Sequence, residues 1–185
     1  MSKITYADKN KYSTVEAERK YRDSDANEVK ASVNAIYDDK MIGVFAALSS
    51  ATATTVTTSG TYYPILGTFS NTPMQGFTLT ADPAIQYTED DARWMEIDFH
   101  AAVSSNANNR SITVGIKKNG TIESTSKMVC FAKTLNENVT LSGTAVVKLE
   151  KNDKIQLVCT ADAAVVLTFE TFTTTIKPFL IETPA

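Results

Sequence analysis

The sequence predicts a mainly β protein, an antiparallel sandwich of about eight to ten strands behind a short N-terminal helix. From Thr61 onward apolar residues recur every second position, the signature of strands with one buried face. Turn signals such as Lys118-Asn119-Gly120 and Lys151-Asn152-Asp153 punctuate these runs. A helical period is confined to the stretch between Ala26 and Ile36.

At 185 residues and 43% hydrophobic content the chain can fill one core and carry an appendage. A net charge of −3 is too small to recruit polyanions, so nucleic acid is not an expected partner. The longest apolar run, Met41 to Leu48, is interrupted by Gly43 and falls far short of the roughly 20 residues of a spanning helix, so membrane insertion is not expected. The opening Met-Ser-Lys-Ile-Thr-Tyr-Ala-Asp lacks the apolar centre of a secretory leader, which points to a protein kept in a cytoplasm or assembled there into something larger. Cys130 and Cys159 then read as two reduced core thiols on neighbouring strands, and the sequons at Asn109 and Asn138 as loop chemistry.

Charge divides the chain. Residues 1–40 hold 16 of its 39 charged side chains, whereas the 41 residues from Met41 to Ala81 hold none. Residues 1–23 alternate polar and aromatic character without a period and are expected to be an extended segment that orders on a partner. Residues 24–42 are expected to form a short helix: Asp25 is placed to cap it, Glu28 completes a capping-box pattern, and Ala26, Val29, Val33 and Ile36 form a narrow stripe. That stripe suits an oligomeric seam and equally an amphipathic helix lying on its own domain; under two heptads long, it is not stable alone. Residues 43–60, rich in Ser, Thr and Ala, read as a connector able to run extended along another surface.

Residues 61–185 are read as the β head. In its clearest strand Met95, Ile97, Phe99, Ala101 and Val103 take one face and Trp94, Glu96, Asp98 and His100 the other. Ile112, Val114 and Ile116 alternate in the next, the Asn-Gly turn follows, and the partner strand is expected from about Ile122 to Ala132. Ala145, Val147 and Leu149, then Ile155, Leu157 and Cys159, read as a further pair about the Lys151–Asp153 turn. A last strand covers Val165 to about Ile176, and shorter runs lie near residues 62–69, 77–80 and 85–88.

Catalytic chemistry is hard to assemble from these residues. The single histidine, His100, lies opposite the apolar set of its strand with no nucleophile elbow nearby, so it reads as a surface or interface residue. Cys130 and Cys159 lack metal-ligand spacing, and Glu89-Asp90-Asp91 reads as a solvated turn. No glycine pattern for phosphate occurs. No cofactor and no enzymatic activity are expected.

The order Trp94-Met-Glu-Ile-Asp-Phe-His, Ile112-Thr-Val-Gly-Ile-Lys-Lys-Asn-Gly120 and Gly143-Thr-Ala-Val-Val-Lys-Leu-Glu-Lys-Asn-Asp-Lys-Ile-Gln-Leu157 resembles the jelly roll of tumour-necrosis-factor and complement-head type, over about residues 60–180. Lys3-Ile-Thr-Tyr-Ala-Asp and Asp25-Ala-Asn-Glu-Val-Lys-Ala-Ser-Val-Asn34 resemble the start of bacteriophage tail-fibre and head-fibre proteins. Together these resemblances imply a homotrimer on a virion, partnered by capsid or tail proteins, attached through residues such as Ile4, Tyr6, Tyr12 and Tyr21 and projecting its head, with host-surface adhesion as one purpose. The chain has no long shaft, so a head fibre or capsid decoration fits better than a full tail fibre. The alternative is a free-standing carbohydrate- or ligand-binding jelly-roll module. One histidine rules out cupin-type metal chemistry, and Trp94, Tyr63 and Tyr87, with Asn108, are either host-glycan or ligand contacts or ordinary core and interface aromatics.

Overall fold

The computed structural model describes residues 27–31, 43–80 and 84–179, with backbone alone for 43–51 and 71–74. The chain divides into two units, Met1–Met41 and Ile42–Ala185. In the first, residues 27–31 are helical and Val29 is exposed. Ala26, Val33 and Ile36 of the expected helix stripe lie outside the described residues, as do Ile4, Tyr6, Tyr12 and Tyr21.

The second unit consists of β1 (Gly43–Ala51), β2 (Thr54–Val56), β3 (Tyr63–Pro64), β4 (Gly67–Gln75), β5 (Phe77–Leu79), β6 (Ala84–Tyr87), β7 (Arg93–Ser105), β8 (Arg110–Lys118), β9 (Thr121–Ile122), β10 (Met128–Ala132), β11 (Val139–Leu149), β12 (Lys154–Ala161) and β13 (Val165–Pro178). They form two antiparallel sheets. Sheet A has the order β11-β7-β13-β1-β4, with β2 beside β13; sheet B has the order β10-β8-β12-β6-β5, with β3 beside β12 and β9 beside β8. The described residues of the second unit thus form an antiparallel jelly-roll sandwich. Nine strands of four residues or more carry it, within the number the alternation predicts.

Period-two alternation decides which side chains enter the core. Met95, Ile97, Phe99, Ile112, Val114, Ile116, Leu149 and Ile155 are each at most 1% exposed, and Val147 and Leu157 at most 6%. Phe172 binds the aromatic centre of the core together. It stacks on Phe99 with ring centroids 6.3 Å apart and meets Phe69 and Phe169 edge-on at 6.4 and 6.1 Å. Gly143 on β11 opposes Phe99, and a Cβ there would come within 2.6 Å of both Phe99 and Met128, so the aromatic packing requires glycine.

In β13 the register with β7 shifts between Phe169 and Thr171. The extra residue, Glu170, reverses the side-chain parity: Val165, Leu167 and Phe169 point inward before it, and Phe172, Thr174 and Ile176 after it. A strand without this bulge would turn one of the two apolar sets into solvent.

Four sequence expectations change. Most of the 43–60 stretch is strand: β1 pairs with both β13 and β4, and β2 with β13, so the expected connector is part of sheet A. Its freedom from charge suits that place between two strands. The strands on either side of Lys151–Asp153 do not pair, because β11 bonds to β7 in sheet A and β12 to β8 in sheet B. Turn chemistry reverses the chain but does not choose the sheet. The strand expected from Ile122 to Ala132 is interrupted by a 3-10 turn, Ser124–Ser126, between β9 and β10, both of which pair with β8. Finally, Cys130 and Cys159 are free thiols on strands separated by β8, and burial pushes them up to about 11 and about 12 respectively.

Candidate interaction surface

Each sheet turns one face outward, and the two are finished differently. On sheet B, Gly115 and Val158 are cross-strand partners facing away from the core, yet Val158 is 0% exposed. The chain covers this part of the face itself, while Val129 and Phe131 on the edge strand β10 stay exposed. A Cβ on Gly115 would meet Ile122 Cδ1 at 3.1 Å and Ser126 Oγ at 3.3 Å, so the turn after β9 lies directly over the strand. Ser126 Oγ fixes that turn by accepting from Ile116 N (2.9 Å) and donating to Glu123 O (2.7 Å). Lys117 Nζ donates to Tyr62 O at 3.2 Å and Lys127 Nζ lies 5.8 Å from the Tyr62 ring centroid, which ties the approach to β3 across the same face.

The outward face of sheet A has no such cover among the described residues. The register of β11, β7 and β13 arranges it in rows: Val146, Glu96 and Lys177; Thr144, Asp98 and Thr175; Ser142, His100 and Thr173; Thr140, Ala102 and Thr171. At one end Trp94, paired with Lys148, is 45% exposed, and its carbonyl accepts from Phe179 N at 2.9 Å. Lys177 bridges Glu96 (3.0 Å) and Asp98 (3.1 Å), while Thr144 Oγ1 donates to Asp98 at 2.6 Å. The Thr144 hydrogen bond and then Lys177 hold the Asp98 carboxyl below its ordinary range. Beyond this charged band the outward side chains are mostly short, with His100 and the exposed Glu170 among them. Beside the bulge in β13 it dips into an open depression of about 450 Å³ lined by His100, Ala102, Thr140, Leu141, Ser142 and Thr171.

The aromatic residues proposed from the sequence do not converge. Trp94 stands on the outward face of sheet A. Tyr63, half-buried on sheet B, shares a 2.6 Å hydrogen bond with Thr57 Oγ1 and accepts one from Thr58 N at 3.1 Å. Tyr87 is completely buried against Phe77, 5.2 Å between centroids, and its hydroxyl donates to Asp91 O; it is a core residue, out of reach of any surface ligand. Asn108 is exposed in the turn after β7, at the opposite end of that strand from Trp94. Asp90 of the acidic turn is ion-paired with Lys151, and no cluster of three or more potential metal ligands occurs among the described residues. No described helix is long and apolar enough to cross a membrane. The register-made depression escapes sequence reasoning, although one signal for it exists: Phe169 and Phe172, three apart within one strand, cannot both point inward without a bulge.

No family model matches the sequence, and no curated protein does. Several solved structures match its fold. Eiger TNF from S. frugiperda superposes with a TM-score of 0.53 at 10% identity, over 78% of this chain and 96% of that one. Murine APRIL at pH 5.0 does so with a TM-score of 0.50 at 12% identity, over 73% of this chain and 98% of that one. The globular domain of zebrafish complement 1qA protein aligns over 77% of this chain and 99% of its own, with a TM-score of 0.45 and 13% identity. At such identities the likeness concerns fold alone, and what the first two superpositions show, over 78% and 73% of this chain, is a jelly-roll fold like that of those two structures.

Proposed function

We propose that this chain is a non-enzymatic structural protein of a phage virion, a short fibre or decoration protein in which residues 1 to about 40 attach and the jelly roll projects as a homotrimer. The observation that carries the trimer is the contrast between the two outward faces. Sheet B is covered by its own chain over Gly115 and Val158, while sheet A leaves outward rows over three strands uncovered among the described residues, a surface open to another protein. The division into Met1–Met41 and Ile42–Ala185 supports separate roles for attachment and projection. The assignment to a virion, with a head fibre preferred over a tail fibre, rests on the resemblance of the N-terminal residues to phage fibre proteins.

A second reading, a free-standing carbohydrate-binding module, is favoured by the open indole of Trp94 beside Phe179. One experiment separates the two. Deleting residues 1–23 is expected to leave the melting transition of the head unchanged and to remove the protein from assembled particles. Incorporation of the truncated protein at normal stoichiometry would overturn the assignment of attachment to the N-terminus.

A further inference from the structure

The β8–β9 hairpin, the β11–β12 turn and the end of β6 are joined through two side chains, Asn119 and Asp153. Asn119, exposed at the tip of the hairpin with φ of 49°, commits both ends of its carboxamide to the start of β12: Nδ2 donates to Asp153 Oδ1 at 2.6 Å, and Oδ1 accepts from Lys154 N at 2.9 Å. Its backbone does the same, with Asn119 N donating to Lys154 O at 2.9 Å. The other carboxylate oxygen of Asp153 accepts from Glu150 N at 2.8 Å and pairs with Lys118 Nζ at 2.9 Å, and that ammonium also donates to Lys148 O at 2.7 Å. Asp153 O in turn accepts from Tyr87 N at 2.9 Å, so the three segments form one junction.

The residue after Asn119 is Gly120, in the one Asn-Gly pair of the sequence. Such a pair has a chemistry of its own, because a glycine without Cβ leaves its backbone nitrogen open to attack the preceding side-chain amide. In that reaction Gly120 N bonds to Asn119 Cγ, the Cγ–Nδ2 bond breaks, and ammonia leaves with the Gly120 amide proton. Water then opens the resulting succinimide at either carbonyl, giving aspartate or isoaspartate. The carboxamide must first turn back over the Gly120 peptide. In the folded head it is held against β12 by one accepted and one donated hydrogen bond, the second to a carboxylate, and both must break before Cγ comes within reach.

We propose that Asn119 is a deamidation site latched by Asp153 and Lys154: the amide is protected while the junction is closed and is converted when the junction opens. Conversion is one-way. An aspartate at this position sets a second carboxylate against Asp153 where an amide donor had been, and the junction does not reclose as before.

The test incubates the full chain in mildly alkaline buffer and follows amide loss at Asn119 by peptide mass spectrometry, with far-UV circular dichroism confirming the β head. Folded wild type is expected to convert roughly tenfold or more slowly than the same chain in urea, the factor that a hydrogen bond to a charged group supplies. Asp153→Ala should speed conversion in the folded state by a similar factor and leave the rate in urea unchanged. Asp153→Asn keeps the size of the side chain and a neutral acceptor; it serves where the alanine variant does not fold, and its rate should fall between the two. Folded wild type converting as fast as the unfolded chain, or a folded Asp153 variant converting no faster than wild type, would overturn the latch.

Discussion

The outward faces of the two sheets start from the same alternating pattern and end differently, and what separates them is five residues. On sheet B the chain spends Glu123–Lys127 on a turn folded back over Gly115, and the outward Val158 becomes as buried as any core residue. On sheet A the equivalent outward residues of β7 and β11 meet no returning loop among the described residues, and Val146 remains 37% exposed. Substitutions at Val158 and Val146 therefore differ in what they do: the first disturbs buried packing, the second only exchanges an exposed side chain.

The widest separation is expected between Val158→Asp and Val146→Lys. The first buries a carboxylate with no partner and should cost about 4 kcal/mol or more, a large part of the roughly 5–15 kcal/mol by which an ordinary domain is stable. The second exchanges one exposed side chain for another beside Glu96 and should stay within about 0.5 kcal/mol. Urea titration of both variants checks this, and equal losses would show that the faces are finished alike. Ser126→Ala sharpens the contrast at a single atom. It removes the hydroxyl that Ile116 N donates to and leaves a buried N–H unpaired, for an expected loss of about 1–3 kcal/mol, whereas Thr144→Ala on sheet A should cost less than about 1 kcal/mol.

The smallest effect concerns acid. Asp98 titrates below the unfolded value of about 3.9, so its contribution is complete above that pH and is lost as pH falls through its lower, folded value. Asp98→Asn should therefore flatten the acid limb of the stability curve below about pH 4 and change little at neutral pH. Its size stays under about 1 kcal/mol, since the Lys177 bridge is open to solvent. A steeper acid limb in the variant would reverse the sign argued here.

How much of this was legible in the sequence depended on distance along the chain. The inward faces of β7, β8 and β12 follow from a local period, and the left-handed Asn119 and Gly120, with φ of 49° and 83°, follow from a two-residue signal. Strand β1 carries no local mark, because its uncharged residues acquire their place in the sheet between β4 and β13, the latter more than a hundred residues later. The aromatics fared similarly. Tyr87 and Trp94 look alike as ring-bearing strand residues, and they part because Tyr87 shares the inward side of Ile85 while Trp94 lies on the outward side of β7. The hollow beside Thr171 arises from a register shift between two strands, a relation that no single window of sequence contains.

The long strand β13 has one further consequence, in the timing of synthesis. It occupies the middle of sheet A between β7 and β1, yet in chain order it follows every other described strand. Until Val165–Pro178 is available, the two strands it will join have no partner on that side, and the contacts that complete the sheet, such as Val44 with Ile176, span most of the head. Sheet A therefore closes late in one long-range step, which makes folding slow and leaves unpaired strand edges waiting in the nascent chain. The outward-facing Glu96 and Asp98 of β7 place two like charges along the waiting edge, so chains paused at this stage repel at the strand they would otherwise share.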